Sequence, residues 1–176
     1  MKTAMKDVEN SCFQYFTVSQ NITYESRTSE AVNMVAVTAE FVDIQRLEFS
    51  EGRFFNESES YSGKQVVVLG YDIAQNLFDG FNPIGKTVRM YGQKFTVIGV
   101  TKKKGSSGID IGGGDDTSAF FPATFLRRIY GDNNPQVLPV IVVKPEKGTD
   151  IEALKSDIAQ NLRNFRGVKQ GDIDNF

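Results

Sequence analysis

The sequence predicts an α+β fold, and three observations carry that prediction. Strand-forming segments dominate from residue 13 to about residue 100, short stretches of helical apolar spacing interrupt them, and an amphipathic helix closes the chain. The 176 residues fit one domain or two small subdomains sharing a boundary, and a 40% hydrophobic content is enough to bury a core.

The elements follow in chain order. Phe13, Tyr15, Thr17 and then Ile22, Thr23 and Tyr24 are strand formers broken at Ser19, Gln20 and Asn21. Arg27 to Glu30 reads as a turn, and Val32 to Val37 as the next strand. Phe41, Val42, Ile44 and Leu47 keep near-helical spacing, which predicts a short helix ending near Glu51 and Gly52. Gln65 to Leu69 is a short apolar strand, followed after Gly70 by a helix with Ile73, Ala74, Leu77 and Phe78 on one face. Asp79 to Pro83 is a turn. Lys86 to Met90 and Lys94 to Val100 alternate around Tyr91, Gly92 and Gln93, the pattern of a compact hairpin.

Lys102 to Asp116 contains seven glycine or serine residues and reads as a mobile loop. Order returns at Ala119 to Pro122, with a short helix from Thr124 to about Tyr130. Val137 to Lys144 is a strong strand. Thr149 and Asp150 cap a final helix whose Ile151, Leu154, Ile158 and Leu162 recur at spacings of three and four. The chain shows no internal repeat.

Composition narrows the chemistry. Twenty Lys plus Arg against 22 Asp plus Glu give a net charge of -2, so no overall field marks a nucleic-acid or anionic-membrane binder. Histidine is absent, which removes the commonest general base and metal ligand. Cys12 is the only cysteine, so no internal disulfide can form; flanked by Phe13, it reads as a buried structural thiol. That leaves the compartment open. No apolar run reaches the roughly 18 residues of a membrane span, and no signal peptide is visible. Membrane segments or targeting signals are expected outside these residues.

Gly80 to Thr87 (Gly80, Phe81, Asn82, Pro83, Ile84, Gly85, Lys86, Thr87) matches the phosphate-loop pattern G-x-x-x-x-G-K-[ST] letter for letter. Nucleotide binding there needs a strand before the loop and a helix N-terminus after it. The spacing predicts the reverse, and Pro83 deletes an amide from a loop that must donate amides. The segment is read as a decoy, with no cofactor-binding role. Asp110, Asp115 and Asp116 lack the ligand spacing of a calcium loop. Glu48, Glu51, Glu57 and Glu59 fall in a polar stretch and read as a solvated face rather than a catalytic carboxylate pair. Lys102, Lys103 and Lys104 read as a solvated hairpin end. No catalytic, cofactor or metal residues are assigned.

A family resemblance joins these blocks. Phe41 to Ile44 leading to Glu51-Gly52-Arg53-Phe54-Phe55, Gln65 to Gly70 with Ile73 to Phe78, Asn82-Pro83-Ile84-Gly85-Lys86, Lys94 to Val100 and Phe121 to Thr124 resemble, in order and spacing, the periplasmic core domain of MacB-like ABC-transporter permeases (the MacB, FtsX and LolC/E type). The resemblance runs together from about residue 41 to 125, and the closing strand and helix fit the family's final unit. It implies a non-catalytic domain inserted between two membrane helices of an inner-membrane permease. A porter-like α/β subdomain would be built from residues 1–45 and 126–176, with a mainly β, Sabre-like subdomain from 46–125. Implied partners are the permease's own transmembrane and ATPase domains or subunits and a periplasmic adaptor or hydrolase, with a dimer in the intact transporter and a monomer when excised. Nucleic acid is not among them. Export of a peptide, antibiotic, toxin or lipoprotein is the leading role. A regulatory domain that binds a peptide or activates a cell-wall hydrolase is the alternative, and a nucleotide-dependent enzyme using Gly80 to Thr87 is the rival from another class.

Overall fold

A computed structural model describes residues 7–104, 114–131 and 134–167. Its elements are β1 (Val8–Phe16), β2 (Gln20–Tyr24), β3 (Arg27–Val37), α1 (Phe41–Gln45), β4 (Phe49–Gly52), α2 (Glu57–Ser62), β5 (Val66–Leu69), α3 (Tyr71–Phe78), β6 (Thr87–Met90), β7 (Gln93–Thr101), β8 (Ser118–Pro122), α4 (Ala123–Tyr130), β9 (Leu138–Pro145) and α5 (Ile151–Arg166). Mixed α/β architecture with strands dominant is the class the sequence pointed to. Most of the glycine-rich segment, residues 105–113, lies outside the described residues.

The chain forms two compact units, residues 1–10 with 143–176, and residues 11–142. In the smaller unit the Glu146 N–H donates to the Asp7 carbonyl at 3.0 Å, and Lys144 pairs with Glu9. Helix α5 starts where Asp150 accepts hydrogen bonds from the N–H groups of Glu152 and Ala153, the cap the sequence suggested.

The larger unit is organised by its strand pairings. The sheet order is β2-β6-β7-β5-β8-β3-β1-β9, with β4 also on β7, and β2 additionally pairs β3. Because β2 meets both β6 and β3, the strands β2, β6, β7, β5, β8 and β3 close into a ring. Pairing is mixed: β3 runs parallel to β8 and β5 to β7, while β5 and β8 are antiparallel.

Period-2 alternation divides the side chains of the central strands between two cores. Met34 and Ala36 of β3, Val67 and Leu69 of β5, and Ala119 and Phe121 of β8 join one cluster. Helix α3 adds Ile73, Leu77 and Phe78 to that cluster, and α4 adds Phe125 and Leu126. Their neighbours Val35, Val37, Val66, Val68 and Phe120 join a second cluster with Cys12, Phe41, Leu47, Phe54 and Phe55. Four consecutive buried residues in β5 are what a strand covered on both faces requires.

Three elements differ from the sequence reading. Arg27 to Glu30 is strand, not turn, because the chain reverses in the two residues Glu25 and Ser26, with Glu25 at φ 51°. The helix from Phe41 stops at Arg46, which adopts φ 52°, and Phe49–Gly52 instead forms β4 against β7. Glu57–Ser62 is helical although its only apolar residue is Tyr61.

Strand β4 approaches β7 so closely that neither backbone has room for a side chain at the contact. A Cβ on Gly99 would lie 2.4 Å from the Arg53 carbonyl oxygen, and one on Gly52 would lie 2.2 Å from that of Ile98. Both obstacles are backbone atoms, which cannot rotate away. We expect Gly99→Ala to lower unfolding stability by about 2–3 kcal/mol, since β4 must back off β7. Urea unfolding followed by circular dichroism measures this, and an unchanged midpoint would contradict the close approach.

Candidate functional site

A buried carboxylate and its polar partners form a cluster between β4 and β5. Asn56 caps α2 by accepting from the Glu59 N–H at 2.9 Å, and the Glu59 carboxylate accepts from the Asn56 N–H at 3.1 Å, completing a capping box. The same carboxylate receives both terminal nitrogens of Arg53, at 2.7 and 3.0 Å, and Lys64 Nζ at 3.1 Å. Arg53 also donates to the Phe54 carbonyl at 2.9 Å. Glu59 is buried, 7% exposed, so the expectation of a solvated face fails for this residue. Burial of a carboxylate is tolerated because each oxygen has charged donors.

Hydrogen bonding to Arg53 holds the Glu59 pKa down at about 2, with burial opposing and the Asn56 and Lys64 contacts assisting. A carboxylate this firmly ionised cannot act as a general acid near neutral pH, and its role here is to hold structure. The polar reading of Glu48 fits better: it is exposed and paired with Lys102 at 2.9 Å, which lowers its pKa.

Gly80 to Thr87 lies between the end of α3 and the start of β6, the helix-then-strand context that the spacing predicts. Four of its amides are already committed. Phe81 N–H donates to Phe78 O, Ile84 N–H to the Asn82 side chain, Gly85 N–H to Val97 O and Lys86 N–H to Pro83 O, at 2.8–3.1 Å. A phosphate cradle needs convergent, unspent N–H groups.

Several of the remaining sequence candidates have structural partners. Lys103 pairs with Asp72 at 3.7 Å and sits over the Tyr71 ring, and Lys104 pairs with Asp115 at 2.7 Å. Asp116 accepts from the Lys104 N–H at 3.0 Å, and Asp110 lies outside the described residues. Among the described residues no three His, Cys, Asp or Glu side chains are placed to hold a metal ion. Cys12 is buried, and burial, aided by the Glu40 charge, raises its thiol pKa to about 12. Such a thiol is inert at neutral pH.

Two solved structures share the architecture. The periplasmic region of MacB from Actinobacillus actinomycetemcomitans superposes with a TM-score of 0.76 at 20% identity, across 94% of this chain and 71% of that one. The extracellular domain of the noncanonic ABC-type transporter YknZ from Gram-positive bacteria gives 0.73 at 22% identity, across 94% and 80%. The fold is thus that of the extracytoplasmic domains of ABC-type transporters.

The sequence profile of the MacB-like periplasmic core domain matches residues 3–161, and the chain belongs to that family. Among its relatives, the macrolide export ATP-binding/permease protein MacB of Marinobacter nauticus is 32% identical over 142 residues, covering 80% of this chain and 22% of that protein. The pyoverdine export ATP-binding/permease protein PvdT of Pseudomonas aeruginosa is 27% identical over 136 residues, covering 77% and 20%. The chain therefore spans about a fifth of the length of the relatives it matches. No helix among the described residues is long and apolar enough to cross a membrane.

The Glu59 cluster has a measurable consequence. Its pKa is depressed in the folded state, so its stabilisation is fully present above the unfolded value near 4.5 and is lost as pH falls toward about 2. Chemical denaturation at a series of pH values should show this acid-dependent component in the wild type and not in Glu59→Gln. Equal slopes in both proteins would refute the assignment.

Proposed function

We propose that this domain works without chemistry of its own, with its larger unit, residues 11–142, as a rigid extracytoplasmic body. It couples ATP-driven motion of a permease to export of a substrate or to a periplasmic partner. The observation that carries this reading is the match to the MacB-like core domain family on a sheet packed by a core on each face. A body packed to crystal-like density moves as a unit and transmits displacement to its surfaces rather than absorbing it.

In this reading ATP is hydrolysed in a separate cytoplasmic domain or subunit, and the domain stands on the outer side of the inner membrane. The intact transporter is a dimer and the isolated domain a monomer. Residues 1–45 and 126–176 form the porter-like part and 46–125 the Sabre-like part. Because β2 and β3 come from the first segment and β5 to β8 from the second, the two parts would share a sheet rather than a flexible linker. Gly80 to Thr87 binds no nucleotide. The names of the relatives, a macrolide exporter and a pyoverdine exporter, favour export over the regulatory alternative.

Two measurements test the reading. Calorimetric titration of the domain with ATP and magnesium should give no heat up to millimolar nucleotide, and Lys86→Ala should not change that. Submicromolar binding abolished by Lys86→Ala would overturn it. Crosslinking from the domain within the intact permease should capture a periplasmic adaptor protein; capture of a cell-wall hydrolase would instead favour the regulatory role.

A further inference from the structure

The seam that closes the ring is its weakest pairing. Strands β2 and β6 meet at a single residue pair, Thr23 with Arg89. Beyond that pair β6 ends at Met90 and reverses through Tyr91 and Gly92, at φ 52° and 69°, while β2 continues back to Gln20. The strands part there, and a groove of about 490 Å³ opens between them. Ser19, Gln20 and Asn21 line one wall, and Arg89, Tyr91 and Gly92 the other.

The charge beside this groove is unbalanced. No Asp or Glu occurs between Asp79 and Asp110, although the segment carries six Lys or Arg. Three of these, Lys102, Lys103 and Lys104, are paired with Glu48, Asp72 and Asp115. Arg89 and Lys94 are not: both are exposed, and among the described residues neither side chain makes an ion pair or hydrogen bond. The β6–β7 register sets them directly opposite each other. Like charges in a directly opposed cross-strand pair are destabilising, so the arrangement is unfavourable for the free domain.

We propose that this open seam binds an extended acidic peptide segment, which adds along the free stretch of β2 and places its carboxylates against Arg89 and Lys94. Strand addition supplies main-chain hydrogen bonds, and the opposed cations select for acidic side chains. The hydroxyl and amide side chains lining the groove suit a polar, extended chain rather than an apolar helix. The proposal does not depend on what the transporter exports and is testable on the isolated domain.

The probe is a fluorescein-labelled heptapeptide alternating glutamate with valine, titrated by anisotropy at low salt. It should bind the wild type. Replacing its glutamates by glutamines, N-methylating its valines, or making Arg89→Gln with Lys94→Gln in the domain should each weaken binding about tenfold or more. Lys94→Gln alone, without peptide, should raise Tm by a few degrees, because it relieves the opposed charges. This readout remains if the double variant folds poorly. Absence of binding would overturn the proposal. So would indifference to N-methylation combined with displacement by phosphatidylglycerol vesicles, since that pattern describes a polyanion surface rather than a strand site.

Discussion

The central strands of this domain are buried on both faces, and the rest of the structure follows from that constraint. A strand in β3, β5 or β8 presents alternate residues to opposite sides, so each side must be covered by something apolar. Helices α3 and α4 cover one side, and α1 with the Phe54–Phe55 pair covers the other. Those two phenylalanine rings stack with centroids 4.1 Å apart, and Phe41 lies 5.7 Å from Phe120 across the second core. Losing one cover would expose half of every central strand, so the elements are mutually dependent.

The Arg53–Glu59 pair shows how a polar interaction serves this apolar arrangement. The chain leaves β4 at Gly52, passes the Phe54–Phe55 pair, and must return to enter β5. Glu59 ties that excursion together by gripping Arg53 at its start, Asn56 at the helix cap and Lys64 at its end. A fixed excursion keeps Phe54 and Phe55 over the sheet. Placing the carboxylate out of water is costly in isolation, and the several charged donors offset that cost.

Much of this was legible in the sequence because it depended on local pattern. The apolar run Val66–Leu69, the turn at Tyr91 and Gly92, the helical spacing of Ile73 to Phe78 and the Asp150 cap each determine an element with few neighbours involved. What escaped depended on partners distant in sequence or on backbone choices few residues favour. Arg27–Glu30 looks polar enough for a loop, yet pairing with β2 makes it strand, and Glu25 turns the chain without glycine or asparagine. Helix α2 carries no apolar stripe. Its one signal was the capping box of Asn56 with Glu59 three residues later, a pattern that can be read from sequence but is easily lost in an acidic stretch. The ring closure through β2 and β6 rests on a single residue pair and left no periodic trace. The family blocks around Gly52, Gly70 and Gly99 supplied what periodicity could not, and each of those glycines sits where a Cβ would strike backbone.

The sealed sulfhydryl of Cys12 makes the molecule convenient for spectroscopy. Its one cysteine thiol is buried and its pKa raised, so maleimide or nitroxide reagents would attach to a newly introduced, exposed cysteine without prior removal of the natural one. Tyr61 on α2 and Phe81 in the turn after α3, at 69% and 74% exposure, offer positions for paired labels. Distances between such labels would show whether the ring stays undeformed while the segments around it move.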